Sequence, residues 1–457
     1  MDLNAWERKL PVGPLRTSPV NPRYFTDDSG RAIYLTGSHT WNNFQDMGIG
    51  RVEAFDYAAY LGFLRRHNHN FFRLWVWEQA AWFSPIPGKL LFSPLPYQRT
   101  GPGTALDGGK RFDLDRFDQD YFDRLRARVL AARDQGIYVA VMLFQGFSIE
   151  VKNKGGENPW KGHPYNRENN VNGVDGDPLK KGDGRDVHTL KSPDITRMQE
   201  AYVRKVVDTL YGLDNVLWEI SNESHSDSTK WQYHMVEYVR GYEQSKGKSH
   251  PILMTVQWPG GENCTVFDGP ADAVSTNDEG GYKENPPAGD GRKVIITDTD
   301  HLWGIGGDFR WVWKSFLRGL NPIFMDPYTT PGLGMSGEER ELTRKNMGYS
   351  LRFAEKMNLI GMTPRPDLAS SRYCLAEPGK TYLIYAAGHD KIEADLTHAS
   401  GKLSVEWFDP MSGEVSYGQD VMGGARQTFI SRFGRDAVLY LEHVMPMDQS
   451  RAGQDRS

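Results

Sequence analysis

Cysteine is almost missing from this 457-residue chain. Cys264 and Cys374 lie far apart, so neither a disulfide framework nor a cysteine-built zinc site is expected. No stretch approaches the ~18 uninterrupted apolar residues of a membrane-spanning helix, and a membrane partner is not expected. The first residues, Met1-Asp2-Leu3-Asn4-Ala5-Trp6-Glu7-Arg8, lack the basic start and apolar run of a secretory leader. A cytoplasmic location is therefore the expectation, or a secreted one if a leader has been removed. Basic charge is also not in excess: 54 Lys and Arg face 59 Asp and Glu, for a net charge of -5. That balance argues against a nucleic-acid partner, which would need a basic face. No phosphate-binding loop or dinucleotide fingerprint follows a strand, and no Ser-His-Asp elbow is present, so no cofactor is expected. Asp175, Asp177, Asp183 and Asp186 lack the twelve-residue calcium-loop spacing and its final glutamate, so no metal is expected either.

What the chain does have is aromatic side chains, at 12% with 13 Trp and 21 Tyr, and a regular alternation of apolar strands with helical stripes. Strand patterns fall at residues 32–38, 71–77, 138–144, 216–220, 252–257, 273–276, 294–297 and 322–325. Helical patterns at 55–67, 119–135, 195–210 and 230–244 separate several of them. In the third of these, Ser192-Pro193 reads as a cap followed by proline in the first turn, and Ile195, Met198, Tyr202, Val206 and Leu210 form the stripe. Eight strands in βα alternation predict an α/β fold, a (β/α)8 TIM barrel over residues 1–361 with an N-terminal extension. No helix is predicted between the sixth and seventh strands, where residues 279–291 are rich in Gly and Pro. From residue 362 to 445 short alternating strands predict a small C-terminal antiparallel β-sandwich, and residues 446–457 a disordered tail.

The connections at 78–116 and 147–191 are much longer than ordinary βα loops, and long loops of this kind are usually functional. Both emerge on the C-terminal face, so Trp82, Phe83, Tyr97, Arg99, Trp160, His163, Tyr165 and the run from Asn169 to Gly173 are expected to contact a ligand.

A barrel builds catalysis from strand ends. The fourth strand runs Val216-Leu217-Trp218-Glu219-Ile220-Ser221 into Asn222-Glu223, delivering a carboxylate. Cleaving a glycosidic bond usually takes two, and the apolar seventh strand ends in Asp298-Thr299-Asp300-His301. Asp298 and Asp300 share one side by the strand period of two. Asp298 is expected as the nucleophile, with Asp300 positioning it or binding a hydroxyl; Asp278 and Glu279 are its rivals. Arg73, a cation in an apolar strand, needs a buried anionic partner, either the nucleophile or a structural ion pair with Glu78 or Glu219. Other strand ends add His39, Gln145, His301 and Asp326 as polar groups for sugar hydroxyls, and Trp41 and Trp258 as sugar platforms.

The segments 31–47 and 69–75, the strand ending at Asn222-Glu223, and Ser404-Val405-Glu406-Trp407-Phe408-Asp409-Pro410-Met411-Ser412-Gly413 together resemble the apiosidase-like glycoside hydrolases of family 140. The Asn222-Glu223 pair also resembles the acid/base signature of clan A retaining enzymes. The resemblance implies a barrel joined to a β-sandwich that carries a collagen-binding label, Glu223 as acid/base with Asn222 on a sugar hydroxyl, and a carbohydrate substrate. The chain departs from that family at both catalytic strand ends, with Asn222-Glu223 on the fourth where the family has an acid after glycines and Asp298-Thr299-Asp300 on the seventh where it has Glu, which implies a subgroup of different sugar specificity. A retaining glycosidase is the leading expectation. A non-catalytic carbohydrate-binding protein and a transglycosylase using the same site are the alternatives.

Overall fold

The computed structural model describes residues 10–83, 89–152, 158–330, 338–434 and 436–444. The expected tail at 446–457 lies outside these residues. Eight parallel strands form a TIM-like barrel: β1 Gly37–His39, β2 Phe71–Leu74, β3 Tyr138–Gln145, β4 Val216–Asn222, β5 Ile252–Thr255, β6 Ala273–Ser275, β7 Val294–Asp298 and β8 Asn321–Met325. Hydrogen-bonded neighbours run β1-β8-β7-β6-β5-β4-β3-β2. The last seam, between β1 and β2, is closed where Asn70 N donates to Thr36 O at 3.1 Å and Thr36 N donates to Asn70 Oδ1 at 3.0 Å. All eight strands are buried along their length, as expected for a parallel sheet covered on both faces.

Two strand expectations are corrected. The run at 32–38 does not form one strand: Ala32–Ile33 pairs antiparallel with Phe25–Thr26, and the barrel strand starts only at Gly37. Between them Leu35 N and Thr36 N donate to the side-chain amides of Asn321 and Asn70, which replace a neighbouring strand. β2 ends at Leu74 for the same reason, because Trp75 N and Trp77 N donate to Asn43 Oδ1 and Gln45 Oε1.

The outer layer contains α1 Tyr57–Arg66, α2 Gln119–Arg133, α3 Pro193–Leu210, α4 Thr229–Ser245, α5 Asn263–Phe267, α7 Phe309–Leu317 and α8 Glu338–Lys356, while the short α6 Thr299–Leu302 follows directly on β7. Ser192 Oγ caps α3 by accepting from Ile195 N, and Ile195, Tyr202, Val206 and Leu210 are buried on its inner face. No helix separates β6 from β7, in line with the Gly- and Pro-rich sequence there. After α8 the chain forms two antiparallel sheets of seven and two strands, which share a core containing Tyr382, Ile384, Ile392, Leu403, Trp407, Phe429 and Leu439. Trp313 of α7 and Phe353 of α8 pack against Phe408 and Tyr440 of the larger sheet. Lys356 and Glu406 add an ion pair of 2.6 Å.

The two long connections are built structures. Asp46–Ile49, Lys89–Ser93 and Ala81–Phe83 form a three-stranded sheet, and Tyr97–Gln98 pairs with Asp113–Phe117. They have an apolar core of their own that includes Tyr97, Phe112, Ile149, Trp160, Tyr165 and Val187. This corrects the expectation that their aromatics meet a ligand: Trp82, Tyr97, Trp160, His163 and Tyr165 are buried because the loops need an interior. Arg99 pairs with Asp107 and lies over the Phe112 ring, while Asn169 and Asn170 donate to backbone carbonyls. The Phe83 side chain lies outside the described residues.

At Gly37 a Cβ would come 2.3 Å from Phe71 O, so closure of the barrel at the β1–β2 seam requires glycine. Gly37→Ala is expected to lower stability by about 1–3 kcal/mol, read as a lower urea midpoint. Gly241→Ala, on the exposed face of α4 with open space around it, should instead be neutral or raise stability by up to about 1 kcal/mol.

Candidate active site

The C-terminal mouth of the barrel is organised around Arg73, whose side chain points inward from β2. Its guanidinium donates through Nε to Glu219 Oε2 at 2.9 Å and through Nη2 to Glu219 Oε1 at 2.5 Å. Nη2 also donates to Asn222 Oδ1 at 2.6 Å, and Nη1 to Asp298 Oδ2 at 2.8 Å and Asp300 Oδ2 at 3.2 Å. Both readings of Arg73 therefore describe it at once, since it meets the structural carboxylate Glu219 and the two seventh-strand acids. Glu78, the other partner considered, is elsewhere. It accepts from Gln145 N at 2.8 Å and bonds His188 and His163. Burial works against its charge, yet His188 and His163 bring its pKa down to about 2.

Asp298 caps the short α6 and is enclosed completely. Its oxygens bond Arg73 Nη1, His39 Nε2 and the backbone N of Asp300. Burial would raise its pKa, but His39 and Arg73 hold it well below the usual carboxylate range. Asp300 is less enclosed, with a side-chain exposure of 9%, and among the described residues it is held through Oδ2. Burial and the neighbouring Asp298 charge push its pKa up to about 6. Glu223 sits just past β4 in a left-handed conformation, φ 45°, with its backbone N donating to Thr255 Oγ1. Burial first, then the Asp300 charge, raises its carboxyl well above the ordinary value. Single ligand atoms of Glu223, Asp300 and His301 lie within 4.8 Å of one another.

The structure thus brings together Glu223, Asp300, Asp298, Arg73, His39, Asn222 and His301, but several do other work than expected. Asp298, expected as nucleophile, has no open face; Asp300 is the acid that faces Glu223. His39 holds Asp298. Gln145 is fully buried and its Oε1 accepts from Asn222 Nδ2 at 3.2 Å. His301 donates from Nε2 to Asn222 Oδ1 at 3.1 Å and bonds Ser275 Oγ through Nδ1 at 2.8 Å, and burial takes its pKa down to about 3. Asn222 is the hub of these bonds. Asp326 is corrected from hydroxyl binder to ion-pair partner, since Arg344 of α8 grips both its oxygens at 2.7 and 2.6 Å. Trp41 packs among Trp75 and Trp77 and is half-buried. Trp258 is 37% exposed and stacks on Phe147 with rings 5.7 Å apart. The rivals Asp278 and Glu279 lie on an exposed turn and accept from the backbone N of Lys283 and Asn263.

Among the described residues, Glu223, Asp300 and His301 are the grouping that could converge on a metal ion. Both His301 nitrogens are occupied and Arg73 already supplies fixed positive charge, so the triangle suits a proton-exchanging carboxyl pair better than a cation. Asp175, Asp177 and Asp183 accept backbone N–H groups of their own turns, and Asp186 pairs with Lys191. Sequence reasoning missed Lys152, Phe147 and Ser275. Lys152 comes from a loop without periodicity, where no pattern marks a residue that packs against β4.

A family model described as a domain of unknown function, DUF6298, matches residues 65–258, a span that contains Arg73, Lys152, Asn222 and Glu223. No curated protein matches the sequence. A solved glycoside hydrolase family 5 structure from Bacteroides vulgatus ATCC 8482 is similar at 15% identity and TM-score 0.61, covering 95% of each chain. Another solved structure, described as a glycoside hydrolase, is similar at 14% identity and TM-score 0.59, covering 95% of this chain and 98% of its own. At such identities the likeness is one of fold: the chain has the TIM-like barrel with added C-terminal antiparallel sheets seen in these glycoside hydrolase structures.

Proposed function

We propose that this protein is a glycoside hydrolase that cleaves an oligo- or polysaccharide with retention of configuration. Glu223 acts as acid/base, Asp300 as nucleophile and Asp298 as the residue that positions it. The observation that carries the reading is the approach of Glu223 and Asp300 to within 4.8 Å at the strand ends. Carboxyls ~5 Å apart suit a covalent glycosyl intermediate, whereas inversion needs ~6.5–9.5 Å to admit water between them. Their environments also divide the roles. Glu223, raised well above its ordinary pKa, keeps a proton to give to the leaving oxygen. Asp300 is ionised at neutral pH, and with Arg73 bonded to Oδ2 it presents Oδ1 to the anomeric carbon. Asp300 attacks as the glycosidic C–O bond breaks; Glu223, now ionised, then takes a proton from the water that releases the sugar.

Reducing-sugar release from a panel of aryl furanosides, an apioside among them, aryl pyranosides and plant or bacterial oligosaccharides tests this reading. Glu223→Gln should lower kcat/KM by about 10²–10⁴-fold with folding and sugar binding intact; retained activity would refute its role. Azide should restore cleavage in Asp300→Ala, with a glycosyl azide as product, and not in Asp298→Ala. The reverse pattern would return the nucleophile to Asp298.

A pH profile follows from the same groups. Activity should rise as pH passes about 6, where Asp300 loses its proton, and fall at higher pH as Glu223 loses the proton it must donate. A kcat/KM profile without the acid limb near 6 would remove Asp300 from the reaction.

A further inference from the structure

Lys152 lies beyond the turn Gly146–Ser148 in the connection after β3, with its side chain fully enclosed. Its ammonium donates to Glu223 O at 2.6 Å, makes a short bond to Trp258 O, and pairs with Glu150 Oε1 at 3.1 Å. Two of the three N–H donors of the lysine thus go to backbone carbonyls. Nζ also lies 5.6 and 5.5 Å from the ring centroids of Phe147 and Trp258. Gly146 permits the approach of this connection, since a Cβ there would come 2.2 Å from Glu223 O.

We propose, building on the glycosidase reading, that Lys152 is the positioning residue for the general acid: it ties the Glu223 backbone to Trp258, the exposed ring on which the leaving group rests. Two features of the site require such a tie. Glu223 is a non-glycine residue in the left-handed region, a conformation that persists only where surrounding contacts impose it. The acid must also meet the glycosidic oxygen at hydrogen-bond distance, and one ammonium joins its backbone carbonyl to that of Trp258, whose ring is exposed. The charged groups around Lys152 are Glu150, Glu223 and Arg185, the last also paired with Asp227.

In the step that Lys152 supports, the Glu223 proton moves to the glycosidic oxygen as the C–O bond breaks, and the leaving group departs as a neutral alcohol. An acidic phenol departs without that proton, which gives the test its specificity. Lys152→Met keeps the apolar stem and removes the donors. On a substrate with a sugar leaving group its kcat should fall by about tenfold to a hundredfold, with KM little changed. On the matching glycoside of an acidic nitrophenol the loss should be within about threefold. An equal loss on both substrates, or no loss, would overturn the proposal. If Lys152→Met does not fold, Lys152→Gln, whose shorter amide cannot donate to both carbonyls at once, should show the same leaving-group dependence, and its absence is equally decisive. If the wild-type protein cleaves no glycoside, the hydrolase reading has failed on its own. Carbon-13 titration of the Glu223 carboxyl in the lysine variant then decides the tie: an upward-shifted midpoint sustains it and an unmoved one ends it.

Discussion

The site depends on one buried cation. Arg73 enters the barrel from an apolar strand and meets three carboxylates, those of Glu219, Asp298 and Asp300, as well as the Asn222 amide. An unpaired guanidinium in this interior would cost several kcal/mol, so the carboxylates are required by the arginine as much as it is by them. They outnumber the positive charge available. With Glu223 and Glu150 counted, five carboxyl groups share Arg73 and Lys152. Groups packed this closely in a dry site cannot all ionise, and the proton remains on the carboxyl with the least direct stabilisation. Asp298, bonded by Arg73 and His39, is held well below the usual carboxylate range; Asp300, beside the Asp298 charge, is pushed up to about 6; burial raises Glu223 well above its ordinary value. Burial raises all three, and the order follows from how far Arg73 and His39 offset it at each.

Around this centre the polar strand ends form a supporting network. Gln145 fixes Asn222, Ser275 fixes His301, and His39 fixes Asp298. Each is a buried side chain whose hydrogen bonds hold an acidic or amide neighbour at one angle, which is how a site acquires a defined geometry on rigid strands. The long connections are attached to the same frame. Glu78 joins the start of one to His163 and His188 of the other, and His188 bonds Ser224, next to the acid. Their aromatic side chains form an interior that keeps these anchors in place.

The barrel was legible in the sequence because a parallel strand buried on both faces is a continuous apolar run, and the eight runs stand in the order that the fold uses. Glu223, Asp300 and Arg73 were legible for a related reason: a charge at the end of, or inside, such a run stands out against its apolar background. Strand limits were less visible. Asn43, Gln45, Asn70 and Asn321 end or interrupt ladders from distant positions by accepting backbone N–H groups. Asp326 reads like a strand-end ligand group, yet its partner Arg344 lies on the helix that follows. The aromatics of the long connections read like sugar platforms because composition does not distinguish a ring that faces solvent from one that fills a small core.

The sequence by itself determined the alternation of strands and helices, the face on which the acids emerge, and the presence of an ionisable cluster at the ends of β4 and β7, since periodicity and burial are local consequences of side-chain type. Only the tertiary structure decided which of the two aspartates faces Glu223, which polar groups are consumed in holding it, and that Lys152 reaches its backbone. Those outcomes depend on distances between residues remote in sequence, and such distances are fixed by how the barrel closes and how the connections pack over it.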